Sequence, residues 1–128
     1  QRFLPQIIKG CLEGKPFPTS TGEQFRDFCF VKDSVQAIVK TLLTPSAHGE
    51  VINIASGNPI SIRTMIETVQ ELVEGGQPQF GEIPYRTHEN MRLYASVTKA
   101  KTMLGWNAET ELKKGLKITI DSYKSPHA

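Results

Sequence analysis

The segment from residue 22 to residue 33 reads GEQFRDFCFVKD and places an arginine inside an aromatic, apolar stretch. The letters FCFV within it are apolar at every position, which is typical of a strand buried on both faces, so we predict a strand over residues 24–31. A charge at Arg26 costs free energy there unless a partner satisfies it. Two interpretations remain open: an ion pair with Asp27 or another nearby acid, or a guanidinium that lines a cleft and binds an anion such as phosphate.

Helical apolar spacing on both sides of this strand predicts five helices. The strongest is started by Ser61 and stopped by the glycine pair at 75–76. The helix that follows the strand has Asp33 as its predicted N-cap. The other three are predicted over residues 3–12, 96–104 and 110–123. Thr110 is the predicted cap of the last one.

Further strands are predicted over residues 51–55 and 90–95, with an irregular stretch over residues 78–88. The length of 128 residues fits one domain, and we expect a single domain over residues 1–128. The expected fold class is α/β with α+β-like character: a small mixed sheet with about five helices.

Composition and charge exclude several classes of protein. The net charge is +2 and the basic residues are scattered, which argues against a nucleic-acid partner. No apolar run approaches the ~20 residues that cross a bilayer, so no membrane partner is expected. The chain begins with Gln1 rather than Met and has no signal-peptide pattern, so we expect the true start to be missing. Cys11 and Cys29 are expected to be reduced, buried thiols in a cytoplasmic protein, with a bridge between them as the alternative.

Motifs for common catalytic chemistry are absent from the sequence. It contains no GxGxxG turn, no P-loop and no GxSxG elbow. His48, His88 and His127 stand apart from one another, and we expect them at the surface rather than on a metal. Arg86 and Arg92 lie on either side of Glu89, either as a solvated charge cluster or as a second anion-binding group.

Five blocks in order resemble the NAD-dependent epimerase/dehydratase family, the extended short-chain dehydrogenases that act on nucleotide sugars. The blocks are residues 22–33, residues 49–57 (GEVINIASG), residues 80–86 (FGEIPYR) with Glu89, residues 104–106 (LGW) and residues 112–116 (LKKGL). The resemblance implies the C-terminal part of such an enzyme, which binds the nucleotide-diphosphate sugar. It implies that NAD(P) and a Tyr-x-x-x-Lys pair belong to an N-terminal Rossmann domain, which this chain lacks. The nearest match to that pair, Tyr94 and Lys99, has four residues between its members.

The same resemblance implies the roles of particular residues. Arg26 and Arg86 would hold the diphosphate, Glu89 would contact the ribose, and Arg92 would lie near the phosphates. Phe28 would flank the nucleotide. Pro18, Ser61 and Ile62 would lie close to the base. The usual Tyr-Gly pair before Gly22 is missing, which leaves the base open. No catalytic, cofactor or metal residue is expected in this chain.

We therefore expect the substrate-binding part of an NAD-dependent nucleotide-sugar epimerase or dehydratase, inactive alone. In the intact family enzyme, NAD would oxidise a sugar hydroxyl before epimerisation or dehydration and hydride return. The expected partners are a nucleotide-diphosphate sugar and either a separate Rossmann domain or a second copy of this chain. The alternative is a stand-alone binding module or homodimeric interaction module without enzymatic activity.

Overall fold

The computed structural model describes residues 2–125 and shows five α-helices and five strands in that range. In chain order they are α1 (Phe3–Glu13), β1 (Pro16–Thr19), β2 (Phe25–Arg26), α2 (Val31–Leu42), β3 (Ile60–Ser61), α3 (Ile62–Val73), β4 (Gln77–Phe80), β5 (Arg92–Leu93), α4 (Thr98–Leu104) and α5 (Leu112–Lys124). β1 and β4 form a parallel pair, while β3, β2 and β5 form a mixed three-stranded sheet. The predicted α/β class, with small mixed sheets and about five helices, is confirmed. No helix in the described part is long and apolar enough to cross a membrane.

The larger core lies between α1, α3 and α5. These helices bury aliphatic side chains at the helical spacing that the sequence predicts. The buried members are Ile7, Ile8, Cys11, Ile62, Met65, Ile66, Val69, Leu116 and Ile120. Gly76 lies against α1 with φ +99°, and a Cβ at this position would stand 2.7 Å from Cys11 Cα. The turn from α3 into β4 therefore needs glycine for both its conformation and its close approach.

A second, smaller core lies under α2 and α4. Its buried members are Ala37, Ala47, Ala100, Leu104 and Trp106. Ile52 and Ile54 pack against them from the extended segment 51–55. Trp106 is 2% exposed, so the largest side chain of the protein closes this core.

Two predicted helix caps are wrong, and one contact explains both errors. Asp33 does not cap α2, because the helix already begins at Val31. The Asp33 carboxylate is buried and accepts hydrogen bonds from the Thr110 backbone N–H (3.0 Å) and the Thr110 hydroxyl (3.1 Å). Thr110 therefore ties the approach of α5 to α2 instead of capping α5. Ser61 does cap α3, as predicted, by accepting a hydrogen bond from the Thr64 backbone N–H.

Helix ends elsewhere shift by a few residues. α3 ends with Glu74 in the left-handed conformation (φ 57°), one residue before the predicted glycine stop. α4 begins at Thr98 rather than at Ser96 and ends at Gly105, as predicted. His48 and His88 are exposed, as expected, and His127 lies outside the described residues.

The predicted strands are shorter than expected or are replaced. The predicted strand over residues 24–31 is reduced to Phe25–Arg26, and that over residues 90–95 to Arg92–Leu93. The segment 51–55 belongs to no strand, and β4 (Gln77–Phe80) overlaps the start of the stretch predicted to be irregular. β4 contains proline and two glutamines, which have weak strand propensity, and its pairing with β1 is a tertiary effect that the local sequence does not show.

Candidate functional site

A cavity of about 600 Å³ lies between α1, the ends of β1 and β2, the start of α3 and the loop 83–89. Six of the eight residues predicted to bind substrate line this cavity: Pro18, Arg26, Phe28, Ile62, Arg86 and Glu89. Segments that are distant in sequence therefore meet at one place. Phe28, Ile62 and Pro18 supply apolar wall, while the arginines and Glu89 supply charge.

Arg26 is held by three acceptors at the cavity. Its Nη1 donates to the backbone carbonyls of Phe25 (2.7 Å) and Asn90 (2.8 Å), and its Nη2 donates to the Glu89 carboxylate. The side chains of Arg26 and Glu89 are 23% and 17% exposed, so the ion pair is largely withdrawn from water. The two interpretations of Arg26 are thus not exclusive, because its ion pair lies in the wall of an open cavity.

The sequence suggested Asp27 as an ion-pair partner of Arg26, but its carboxylate binds a loop instead. Its carboxylate accepts hydrogen bonds from the backbone N–H groups of Ser56 (2.7 Å) and Gly57 (2.9 Å). Both oxygens are therefore engaged with a loop. The Asp27 side chain thus fixes the loop at residues 56–57 next to the end of β2.

Arg86 is the second cation of the cavity. Its residue is exposed, and within residues 2–125 its side chain has neither a hydrogen bond nor an ion pair. A cation that faces a cavity without an internal partner is available to an anion. Arg26 and Arg86 thus differ: the first is fixed in place and the second is free to close on a ligand.

The loop that carries Arg86 is anchored by Tyr85, a residue that sequence reasoning missed. The Tyr85 hydroxyl accepts a hydrogen bond from the Glu23 backbone N–H (3.0 Å) and is hydrogen-bonded to the Thr21 hydroxyl. These hydrogen bonds of Tyr85 and the Arg26–Glu89 ion pair fix the loop at two points. The only signal in the sequence was the position of a tyrosine directly before Arg86.

Gln24 is a second residue that sequence reasoning missed. Its side chain lines the cavity, and its amide nitrogen donates to the Ser20 hydroxyl at 3.3 Å. Its amide oxygen is buried and has no hydrogen-bond partner within the described residues. A buried acceptor without a donor costs free energy, so this amide is held beside the cavity at some cost to stability.

Ser61 and Arg92 do not line this cavity. Ser61 is occupied as the N-cap of α3 and also shares a hydrogen bond of 2.8 Å with the Thr64 hydroxyl. The Arg92 guanidinium lies 5.7 Å from the centroid of the Phe25 ring, on the exposed strand β5. Their predicted contacts with base and phosphate stay predictions.

The described residues offer neither a metal site nor an activated thiol. No cluster of His, Cys, Asp or Glu with the makings of a metal site occurs in residues 2–125. Both cysteines are free; Cys11 is buried and Cys29 is half-buried. Burial raises the pKa of both thiols, and at Cys29 a hydrogen bond from Ser34 opposes that effect only in part. A raised pKa lowers the thiolate fraction at neutral pH, so neither is an activated nucleophile.

Solved structures of similar fold belong to one class of enzyme. An epimerase from Methanothermobacter thermautotrophicus matches with a TM-score of 0.89 and 25% identity, over 97% of this chain and 37% of its own. A UDP-glucuronic acid 4-epimerase variant from Bacillus cereus, solved with UDP-4-deoxy-4-fluoro-glucuronic acid and NAD, matches with a TM-score of 0.82 and 30% identity, over 92% of this chain and 38% of its own. Fold and cavity thus define a part of an NAD-dependent nucleotide-sugar epimerase or dehydratase.

Within this class, residues 1–119 match the family model described as GDP-mannose 4,6 dehydratase, and the chain belongs to that family. Among curated relatives, dTDP-glucose 4,6-dehydratase of Xanthomonas campestris pv. campestris is 32% identical over 96% of this chain and 38% of its own length. UDP-glucuronate 4-epimerase of Thermodesulfobacterium geofontis is 31% identical over 91% and 36%, respectively. The chain therefore spans less than two-fifths of these relatives' length, in their C-terminal portion.

Proposed function

We propose that this chain is the substrate-binding part of a nucleotide-sugar epimerase or dehydratase and that its cavity holds a nucleotide-diphosphate sugar. The single observation that carries this proposal is the meeting of Arg26 and Arg86, from distant segments, at one cavity with apolar walls. A diphosphate bears a negative charge on each phosphate, and planar guanidinium groups bind such oxygens in pairs. Phe28, Ile62 and Pro18 offer the apolar surface that a nucleoside needs.

The two arginines would act differently on the ligand. Arg26 is preorganised by its backbone acceptors, so it would bind phosphate without loss of side-chain freedom. Arg86 would move onto the ligand, while Glu89 stays on Arg26 or turns to a ribose hydroxyl. Such a clamp fixes the position of the sugar relative to a distant reaction centre.

The chemical step would belong to another part of the polypeptide or to a partner chain. NAD supplies hydride transfer when it is bound, as in the Bacillus cereus relative. The sequence contains no glycine-rich turn between a strand and a helix, which is the motif that binds NAD in a Rossmann domain. We therefore assign to this chain binding and orientation, and we propose a separate Rossmann domain as the carrier of NAD(P).

Calorimetric titration of the chain with UDP, CDP, GDP and dTDP tests the proposal. We expect one or more of these diphosphates to bind, and binding to be lost in Arg26→Ala and weakened in Arg86→Ala. Lys117→Ala, an exposed basic residue on α5 outside the cavity, is the matched control and should bind as the wild type does. Absence of binding up to millimolar ligand, with a folded chain, contradicts the proposal.

A turnover assay tests the assignment of chemistry to another part. The chain with NAD and UDP-glucose or dTDP-glucose should give no epimerised or dehydrated product. Turnover that disappears in Arg26→Ala would show that this chain carries catalytic groups of its own, and it would favour a complete enzyme over a binding part.

A further inference from the structure

The Tyr85 hydroxyl joins two walls of the cavity that are far apart in sequence. It accepts a hydrogen bond from the Glu23 backbone N–H at 3.0 Å, is hydrogen-bonded to the Thr21 hydroxyl, and lies 3.4 Å from a Glu23 carboxylate oxygen. Tyr85 and Arg86 both line the cavity and are adjacent in the chain. The hydroxyl therefore ties the backbone directly before Arg86 to residues 21–23, which we call the anchor segment.

The anchor segment is itself fixed to helix α3 on its other side. The Arg63 backbone N–H donates to the Gly22 carbonyl (2.8 Å), and Arg63 Nε donates to the Thr21 carbonyl (3.1 Å). The Arg63 guanidinium also lies 3.8 Å from the centroid of the Phe80 ring, which is a cation–π contact. A Cβ on Gly22 would stand 2.7 Å from the Arg63 backbone nitrogen, so the segment and the helix are in close contact. The tyrosine hydroxyl is thus bound to a segment that a helix of the first core holds in place.

The other attachments of the loop that carries Arg86 lie at the ends of this loop. Near its start, two backbone N–H groups donate to the Thr19 carbonyl, both at 3.0 Å. At its end, the Glu89 carboxylate is held by its ion pair. Between these points, the Tyr85 hydroxyl is the one side-chain attachment among the described residues. Without it, residues 84–88 would be joined to the cavity only through their two ends.

We propose that Tyr85 is a positioning residue for anion binding: its hydroxyl holds the backbone at Arg86 so that the free guanidinium lies within reach of a bound diphosphate. The inference rests on the proposed function, because it concerns the same cavity. A long, exposed side chain on an unfixed loop loses both backbone and side-chain freedom when it closes on a ligand. With the backbone already fixed, Arg86 loses only the freedom of its own side chain, and binding is tighter.

The Tyr85 hydroxyl acts as an anchor rather than as a contact for the ligand. A phenolic hydroxyl has one proton to donate and accepts hydrogen bonds on its oxygen. In Tyr85 the oxygen accepts the Glu23 N–H, and the proton has two acceptors within reach, the Thr21 hydroxyl and the Glu23 carboxylate. The hydrogen-bonding capacity of the hydroxyl is therefore used within the protein. Tyr85 would act on the diphosphate through Arg86, while its ring remains part of the cavity wall.

A double-mutant cycle tests this dependence on Arg86. The variants are Tyr85→Phe, which keeps the ring and removes the hydroxyl, Arg86→Ala, and the two combined. Each is ¹⁵N-labelled and titrated with UDP, CDP, GDP and dTDP in turn, because amide shifts also measure millimolar dissociation constants. For the diphosphate that binds most tightly, Tyr85→Phe should weaken binding about three- to tenfold in the wild-type background. In the Arg86→Ala background, the same substitution should change the dissociation constant less than about twofold.

Two further variants and a second readout separate positioning from a general loss of structure. Thr21→Val removes the other hydroxyl of the same hydrogen bond, and it should also weaken binding only when the Arg86 side chain is present. Tyr123→Phe removes an exposed hydroxyl of α5 outside the cavity and is the matched control, which should bind as the wild type does. In the chain without ligand, backbone ¹⁵N relaxation at residues 86–88 should show larger picosecond-to-nanosecond motion in Tyr85→Phe than in the wild type.

The outcomes distinguish this inference from the proposed function. Equal weakening by Tyr85→Phe with and without the Arg86 side chain would mean that the hydroxyl touches the ligand, and it would overturn the positioning role while the proposed function stands. Unchanged binding in Tyr85→Phe, or unchanged motion at residues 86–88, would also overturn the positioning role alone. Failure of the wild type to bind any of the four diphosphates would overturn both. If Tyr85→Phe does not fold, Thr21→Val takes its place in the same cycle.

Discussion

The two cores of this protein are built from different side chains and are completed to different degrees. The first core buries Ile8, Met65 and Ile66 without measurable exposure between three helices. The second is built from Trp106, Leu104 and small alanines, and its helix α2 exposes five large apolar side chains while Ala37 is its one buried apolar residue. The indole N–H of Trp106 is also buried without an acceptor among residues 2–125. The difference indicates that the first core is closed on all sides by its own helices, whereas the second leaves apolar surface of α2 uncovered.

Removal of the Trp106 ring is expected to have the largest effect on the free energy of unfolding. Trp106→Ala should lower the free energy of unfolding by about 3–5 kcal/mol, because the second core has no other large side chain to fill the space. Urea unfolding followed by circular dichroism measures it. An unchanged midpoint would show that the second core contributes nothing to the stability of the isolated chain.

A matched pair of isoleucines sharpens the contrast between a closed core and an open face. Ile66→Ala should cost about 2–5 kcal/mol, because Ile66 is fully buried in the first core. Ile38→Ala should change the free energy of unfolding by no more than about 0.5 kcal/mol, because Ile38 lies on the exposed side of α2. If both variants lost the same free energy of unfolding in the same urea experiment, Ile38 would be covered in solution.

The contact between Asp33 and Thr110 links the two cores. Thr110→Val should lower the free energy of unfolding by about 1.5–3 kcal/mol, because it removes one charge-assisted hydrogen bond from a buried carboxylate. Thr102→Val, at an exposed helical position of α4, is the control and should be near neutral. A similar small effect of both variants on the unfolding midpoint would show that Asp33 finds another donor.

Thiol reactivity gives the smallest and most local contrast. Cys11 is 1% exposed in the first core, whereas Cys29 is half-buried beside the second. Burial raises the pKa of both above the ordinary value of 9.0, so each carries less thiolate than a free thiol at pH 8. Iodoacetamide followed by mass spectrometry should label Cys29 slowly in the native chain, faster as the pH rises, and Cys11 only in urea. Labelling of Cys11 before Cys29 in the native chain would contradict the deeper burial of Cys11.

Linkage gives these thiols a consequence for stability. A thiol with a raised pKa in the folded state adds stability that is constant below the unfolded value of 9.0 and is lost as the pH rises toward the folded value. Cys11→Ala should therefore reduce the loss of unfolding free energy between pH 8 and pH 10. An unchanged pH slope would show that Cys11 titrates alike in both states.

Local patterns predicted most helices because apolar spacing alone produces the first core. The cap predictions were wrong at Asp33 and Thr110. Both residues are of types that cap helices, but here they hydrogen-bond to each other across the fold. β4 was missed because its pairing with β1 is not local. The segment 51–55 was predicted as a strand from its apolar, β-branched sequence, but among residues 2–125 no strand pairs with it. In the candidate site, the resemblance identified the arginines. Tyr85 and Gln24 were missed because their roles depend on contacts that no spacing reveals.

An NMR titration of the ¹⁵N-labelled chain with UDP, CDP, GDP and dTDP in turn tests the central claim most directly, namely that the cavity binds a nucleoside diphosphate. The account predicts shift changes at the amides of Ser20, Gln24, Phe28, Ile62 and Glu89 around the cavity, and none at residues 51–55. Arg26→Ala should abolish those changes. Shifts centred on residues 51–55, or no shifts at the cavity with millimolar concentrations of any of the four diphosphates, would contradict it.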